Sequence, residues 1–529
     1  MVKKKYTIIL SILGLFVAVF VLLVPLLSKY LVNEALQISN DNSIGYQKLI
    51  LYIILISVSV ILAIILHIAN NFIYSKFYLD NEELLKNKLY NSLINKNINE
   101  IIKYRSGDIE VLYEQDINNI LRKYLSTIPS LITQIARALI ALAILIIVDE
   151  TKYKLFAVII VFLGIIAACL AKLYSKIIKP QHKKVLIDDS NASSFIIESF
   201  ENNKLIKSYS AMDRSYNEFM ELNHTARRSK GKRNFIIYSA NGFIYTFTSV
   251  IFVASMIAGG ILISKNLFSY GSLIAVVQLI NSIEAPFMSL SGYLNQYHLG
   301  SESEDRINKL FNLDDEVITK SLNDFNEISI NNISYYYDEG KYIIKDLSYK
   351  INKGDIVKIS GPSGIGKTTL FMLLLGFLKP NSGTITFDGV TASIDTRELI
   401  SYVSVDNILF SLSIRDNIKM LTGVTDKELI NNALAKVNLL DEIEEIDGKL
   451  DYILTKGKGL SEGQMERLCL AIAYLRNKPI MLLDEATSAL DKENEDIVIN
   501  NLIKEGKTII YITHKRDFSL NERIIKLGE

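Results

Sequence analysis

Cysteine is scarce, with only Cys169 and Cys469 in 529 residues. The two stand far apart, one in an apolar run and one in a mixed segment. That excludes a disulfide framework or a cysteine metal cluster, and both are read as space-filling residues. Net charge is also nearly absent: 58 Lys and Arg face 57 Asp and Glu, a formal +1. This balance gives no global argument for a nucleic-acid partner, so charge matters here by location. Hydrophobic residues, by contrast, make up 49% of the chain and are concentrated before residue 300. The length suits two or three domains.

The first apolar run, 6-YTIILSILGLFVAVFVLLVPLL-27, has the roughly 20 residues that a bilayer-spanning helix needs. Five more follow, near residues 49–74, 128–148, 154–173, 235–263 and 272–294. A removable secretory signal is shorter and ends at a small-residue cleavage site, so the first run is read as a retained span. Lys3, Lys4 and Lys5 precede span one. The loops after spans two and four are rich in Lys and Arg, including Lys86, Arg105, Arg122, Arg227, Arg228 and Arg233. The short loops 150-ETKYK-154 and 265-KNLFSYG-271 are poorer in them. By the positive-inside rule both ends face the cytoplasm. The long basic loops keep helical apolar spacing and hold little Gly or Pro, which predicts helices projecting beyond the bilayer.

Polar groups inside the spans leave two readings open. Arg137 and Glu284 fall near the middle of spans three and six, where an ionised group costs a few kcal/mol unless paired or wetted. Either they form a salt bridge inside the bundle, or they line a wet cavity whose charges select cargo. Tyr238, Asn241, Tyr245, Thr248, Gln278 and Asn281 either line the same cavity or hydrogen-bond between helices.

Beyond 301-SESEDRINKLFNLDDE-316 the pattern turns to short β-branched runs between turns and helices, an α/β signature. The strand 355-DIVKIS-360 runs into 361-GPSGIGKTT-369, which fits G-x-x-x-x-G-K-[ST]. Gly361, Ser363, Gly364 and Gly366 let backbone N–H groups curl around phosphate oxygens, and the helix start, with Thr369 in its first turn, adds its dipole. Lys367 reaches the terminal phosphates, and the Thr368 hydroxyl is a Mg²⁺ ligand. In 480-IMLLDEATSALD-491, a buried-strand pattern ends in Asp484, placed to hold the Mg²⁺ through water, and Glu485, placed to orient or deprotonate an attacking water. The strand in 507-KTIIYITHK-515 ends near His514, within reach of a γ-phosphate if it neighbours the others. A second helix start of anion-binding type, 457-GKGLSEGQMERLCLAIAYL-475, has no evident ligand within this chain.

These motifs in this order behind six spans resemble an ATP-binding cassette exporter of the half-transporter type, and the likeness covers nearly the whole chain. The stretches 106-SGDIEVLYEQDINNI-120 and 303-SEDRINKLFNL-313 share the family's local patterns. The resemblance implies that two cassettes sandwich each ATP head to tail. Ser461, Gly463 and Gln464 of one subunit would then close over phosphates held by the other. The partner would be a second copy or a related subunit. It further implies that Tyr337 stacks on adenine, with Tyr335 or Tyr336 as alternatives, and that Asp491 touches the opposing cassette. Val405 stands where the family has a Gln that contacts Mg²⁺. Valine cannot ligate a metal, so either Asp406 or water substitutes, or coupling runs differently. In 455-TKGKG-459 lysines replace the family's usual acid.

The expectation is an all-α six-helix membrane domain, residues 1–318, followed by an α/β P-loop cassette, residues 322–529. It would hydrolyse ATP with Mg²⁺ and export a drug, lipid or peptide across a bacterial plasma membrane by alternating access in a dimer. Lys367, Glu485 and His514 would carry the catalysis, and helical extensions near residues 106–112 and 200–208 would dock on the cassette near Val405. The alternative is a sensory or regulatory membrane ATPase that moves no cargo. An importer and a leader-cleaving peptidase are not expected, and cargo identity stays open.

Overall fold

The computed structural model describes residues 3–40, 45–104, 106–149, 154–316, 322–337, 341–391, 396–404, 409–455, 459–515, 518 and 522–527. Two compact units emerge. One comprises residues 1–94 and 104–312, the other residues 95–103 and 313–529.

The first unit is helical. Helix α1 spans Lys4–Asn40 and α2 spans Gln47–Asn95; α3, Ile98–Ile101, belongs to the second unit. Next come α4 (Ser106–Val111), α5 (Ile117–Arg122) and α6 (Ile128–Val148), separated by π-helical turns at Leu112–Asp116 and Lys123–Thr127. Three long helices complete the unit, α7 (Leu155–Glu201), α9 (Met212–Ser264) and α10 (Tyr270–Phe311), with α8 (Asn203–Ser208) between the first two. The basic loops are therefore helical, as their spacing predicts. Among the described residues, α1, α2 and the stretch Gly107–Val148 are long and apolar enough to cross a membrane, and Phe252–Ser264 and Tyr270–Ile283 are shorter apolar helices. Helices α1, α6 and α10 share a core that includes Leu22, Ala141, Leu145, Val276 and Leu279. Much of α2 is apolar and exposed, Ile64 at 53% and Ile68 at 62% among others. Such a face suits lipid better than water.

Toward the α10 C-terminus, charge replaces apolar packing. Asp116, wholly buried, accepts hydrogen bonds from Ser303 Oγ at 2.7 Å and Arg306 Nε at 2.8 Å, and Arg306 Nη2 pairs with it as well. Buried Lys123 pairs with Glu304 at 2.7 Å. Asp116 and Lys123 thus tie the two π turns to one stretch of α10. A buried ion is tolerated when paired and hydrogen-bonded in this way.

The second unit holds two sheets. Strands β1 (Glu327–Tyr335), β2 (Ile344–Asn352), β4 (Ser382–Phe387) and β5 (Val390–Thr391) form an antiparallel sheet in the order β2-β1-β4-β5. Strands β3 (Ile356–Ser360), β6 (Ile400–Val403), β7 (Ile480–Asp484), β8 (Thr508–Ile512) and β9 (Arg523–Lys526) form a parallel sheet in the order β6-β7-β8-β3-β9. Because strand side chains alternate, Met481 and Leu483 enter one core while Ile480 and Leu482 enter another. A sheet covered on both faces requires the continuous apolar runs seen in β7 and β8. Helices α11 (Lys367–Leu374), α12 (Ile414–Thr422), α13 (Lys427–Lys436), α14 (Leu440–Glu445), α15 (Glu462–Arg476) and α16 (Lys492–Lys504) surround the sheets.

Segment 95–103 joins this unit as a strap. Lys96 Nζ donates to Leu313 O at 2.5 Å and pairs with Asp315 at 2.7 Å, and Asn99 Nδ2 donates to Phe377 O at 2.8 Å. The sequence pattern gave no sign of it.

Candidate nucleotide site

Strands β7, β8 and β3 are neighbours in the parallel sheet, so their carboxyl ends open on one crevice, where ligands of open α/β sheets bind. The three groups of sequence-predicted residues meet there. From β3 the chain enters residues 361–366 and then α11. Gly366 has φ 107°, and a Cβ on it would stand 2.4 Å from Ile343 Cγ2, so only glycine fits. Lys367, buried at the start of α11, donates from Nζ to Gly361 O at 2.9 Å and Pro362 O at 3.1 Å, folding its ammonium back over the loop. Two of its three protons are thereby used. Ser363 is exposed and Thr369 buried.

Thr368 Oγ1 donates to Asp484 Oδ2 at 2.9 Å, which brings a hydroxyl and a carboxylate from adjacent motifs together. These are oxygen donors of the kind a hard divalent cation takes, and beside a glycine cradle they fit a metal–nucleotide pair. Glu485 follows at once, with φ 52°, a left-handed backbone that non-glycine residues seldom adopt. Its amide donates to Ile512 O at 3.0 Å, which pins it to the end of β8. His514 Nε2 lies 3.4 Å from Glu485 Oε1.

The second helix start is closed by its own chain. Ser461 caps α15, its Oγ accepting from Gln464 N at 3.2 Å, while the Gln464 side chain accepts from Ser461 N at 2.8 Å. A Cβ on Gly463 would meet Ala489 O at 3.0 Å, so this glycine already serves a close backbone approach within the cassette. Tyr337 is 60% exposed and edge-on to Tyr335, while Tyr336 packs against Tyr342. Asp491 caps α16, and the Asn494 amide holds its carboxyl below the ordinary range.

Several working residues escaped sequence reasoning. Glu466 is buried and accepts from Ser488 Oγ at 2.7 Å and Ala489 N at 3.0 Å, joining α15 to the loop after Glu485. Burial raises its pKa, against the opposing pull of those two bonds and of Lys515. Lys515 donates to Thr487 O and Leu490 O, securing the same loop from the His514 side. Arg467 forks onto Glu442 at 2.7 and 3.1 Å. Burial alone would raise the Glu442 carboxyl, but its bonds to Arg467 and Gln464 hold it low. Spacing does not single out Glu466 or Lys515, because the loop they hold is distant in sequence. Burial pushes the Cys469 thiol up to about 12, in keeping with a space-filling role. Val405, Asp406 and residues 456–458 lie outside the described residues, as do the side chains of Cys169, Asn241, Thr248 and Glu284.

Residues 7–287 match the family model "ABC transporter transmembrane region" and residues 344–488 match "ABC transporter". The chain belongs to the ABC transporter family. A Rickettsia prowazekii protein assigned as an export ATP-binding/permease protein is 30% identical, over 97% of this chain and 90% of its own length. The multidrug resistance-like ATP-binding protein MdlA of Buchnera aphidicola is 24% identical, over 90% and 84%. A solved structure of a bacterial Atm1-family ABC exporter with ATP bound superposes with a TM-score of 0.83 at 19% identity, covering 99% of this chain and 93% of that one; at this identity the likeness speaks for the fold. This ABC transporter is thus a membrane ATPase coupled to transport, with an export-type permease and a cassette in one chain.

Proposed function

We infer that the chain pairs with a second half-transporter and uses ATP to move a small or amphipathic molecule, a drug, lipid or peptide, out across the plasma membrane by alternating access. The observation that carries this reading is the hydrolytic set gathered at three adjacent strand ends: Lys367, the Thr368–Asp484 pair, and Glu485 beside His514. In this reading Lys367 exchanges its loop carbonyls for phosphate oxygens. Thr368 and Asp484 hold Mg²⁺, which when bound supplies charge neutralisation at the phosphates. Glu485 orients the attacking water and His514 donates to the γ-phosphate.

Ser461 supports the head-to-tail dimer. A hydroxyl offers one donor and two acceptor positions, and the cap uses only an acceptor. Its proton remains available to a partner's nucleotide at the positive end of α15. Tyr337, with an exposed ring, supplies a stacking face for adenine. The basic loops set both termini and the cassette in the cytoplasm, with six spans in the bilayer. ATP closes the cassettes and opens the bundle outward, and hydrolysis resets it.

The test is Glu485→Gln in the purified, reconstituted protein. Hydrolysis should fall by roughly 10²-fold or more, and ATP should remain trapped in a closed dimer. Hydrolysis at the parental rate would remove Glu485 from its role.

A further inference from the structure

Within the helical unit, α1, α2, α6 and α10 line an open cavity of about 560 Å³, inside the roughly 300–1,000 Å³ typical of small-molecule sites. Its two sides differ. Helices α1 and α2 contribute mainly aliphatic residues, among them Val17, Val21, Val60 and Ile64, together with the imidazole of His67. Helices α6 and α10 contribute Arg137, Gln278, Asn281 and Ser282. Arg137 Nη2 donates to Ser282 Oγ at 3.3 Å, while its buried Nε has no hydrogen-bond partner among the described residues. Arginine keeps its proton under all ordinary conditions, so this guanidinium is a permanent cation facing an aliphatic wall. A second, more polar cavity of about 350 Å³ adjoins through Val17 and His67 and gives water a place beside the first.

We propose that this cavity seats the exported molecule, and that the molecule is an amphiphile with a carboxylate head on an apolar body. Its status as cargo rests on the export reading above. The planar fork of Arg137 matches a carboxylate in two parallel bonds. A cationic amphiphile meets the like charge of the guanidinium. Gln278 and Asn281 supply amide donors to the outer carboxylate lone pairs.

The test uses the full chain in phosphatidylcholine nanodiscs without ATP, loaded with a dansyl-labelled fatty acid and titrated with oleate, oleyl alcohol or oleylamine. Oleate should displace the probe at least tenfold more effectively than the other two. Arg137→Gln should erase that advantage, and Arg137→Lys, which keeps the charge but not the fork, should keep only part of it. Gln278→Glu, which leaves Arg137 in place but neutralises it, should also abolish the oleate preference. Equal displacement by all three, or oleate preference unchanged in both Arg137→Gln and Gln278→Glu, overturns the proposal. Arg137-dependent oleate binding without ATP-driven accumulation in inside-out vesicles upholds the site and its ligand class and counts against the export reading, so the two failures are distinguishable.

Discussion

Charges are held differently in the two units. In the cassette the reactive side chains sit at strand ends and are positioned by backbone: Lys367 by two carbonyls and Glu485 by its own amide on Ile512. In the helical unit each buried charge is held by a more exposed partner of opposite sign, Asp116 by Arg306 and Lys123 by Glu304, across about 180 to 190 residues of sequence. The first arrangement leaves side chains free to exchange partners during a reaction cycle. The second makes the partners part of the fold, because an abandoned buried ion has nowhere to discharge.

Four measurements would break or sharpen this contrast, the largest effect first. Arg306→Ala should cost the helical unit about 3 kcal/mol by stranding Asp116, read as faster hydrogen exchange in α5 and α10 while the cassette keeps its protection. Unchanged exchange would place Arg306 among the exchangeable charges. His514→Ala should do the converse, lowering hydrolysis by roughly 10²-fold with no shift in exchange anywhere, since the side chain is 58% exposed.

Ser461→Ala should loosen the start of α15 by about 1 kcal/mol and weaken ATP-dependent association of the cassettes, measured by crosslinking. Ser461→Asp should keep the cap and still fail to associate, having no proton to offer. The smallest effect concerns acid. The Glu442 carboxyl is held below its ordinary value, so its stabilisation is present above the unfolded pKa and lost as pH falls through the lower, folded one. Glu442→Gln should therefore flatten the acid limb of cassette unfolding, and an unaltered limb would assign that limb to other carboxyls. Glu466, raised by burial, has the opposite sense and favours the fold more as pH falls.

The cassette's chemistry was legible because it demands particular residues at short spacing: a glycine loop before a lysine, or two acids ending an apolar strand. The strand order that brings 361–369, 484–485 and 514 together was not readable from those motifs, which marked three strand ends without saying which strands are neighbours. The clasp of Glu466 and Lys515 on residues 487–490 was not legible, since neither spacing nor composition shows which loop a lone charge reaches. In the helical unit apolar length was readable and partner choice was not. Arg137 is near Ser282, a contact set by how α6 faces α10. The α3 strap was hidden for a similar reason, its bonds being to backbone carbonyls that any residue could have offered.

The left-handed turn at Glu485 carries one more implication. Its own β-carbon disfavours that geometry by roughly 1–2 kcal/mol, and the amide tether to Ile512 keeps the chain from relaxing. Glycine at 485 would sit there at ease yet have no carboxylate, so comfort and the role proposed for Glu485 exclude each other at this position. Any loosening of the seam between β7 and β8 would let the peptide spring back and turn its acid away, so the role proposed for Glu485 makes the rigidity of two inner strands a condition of turnover.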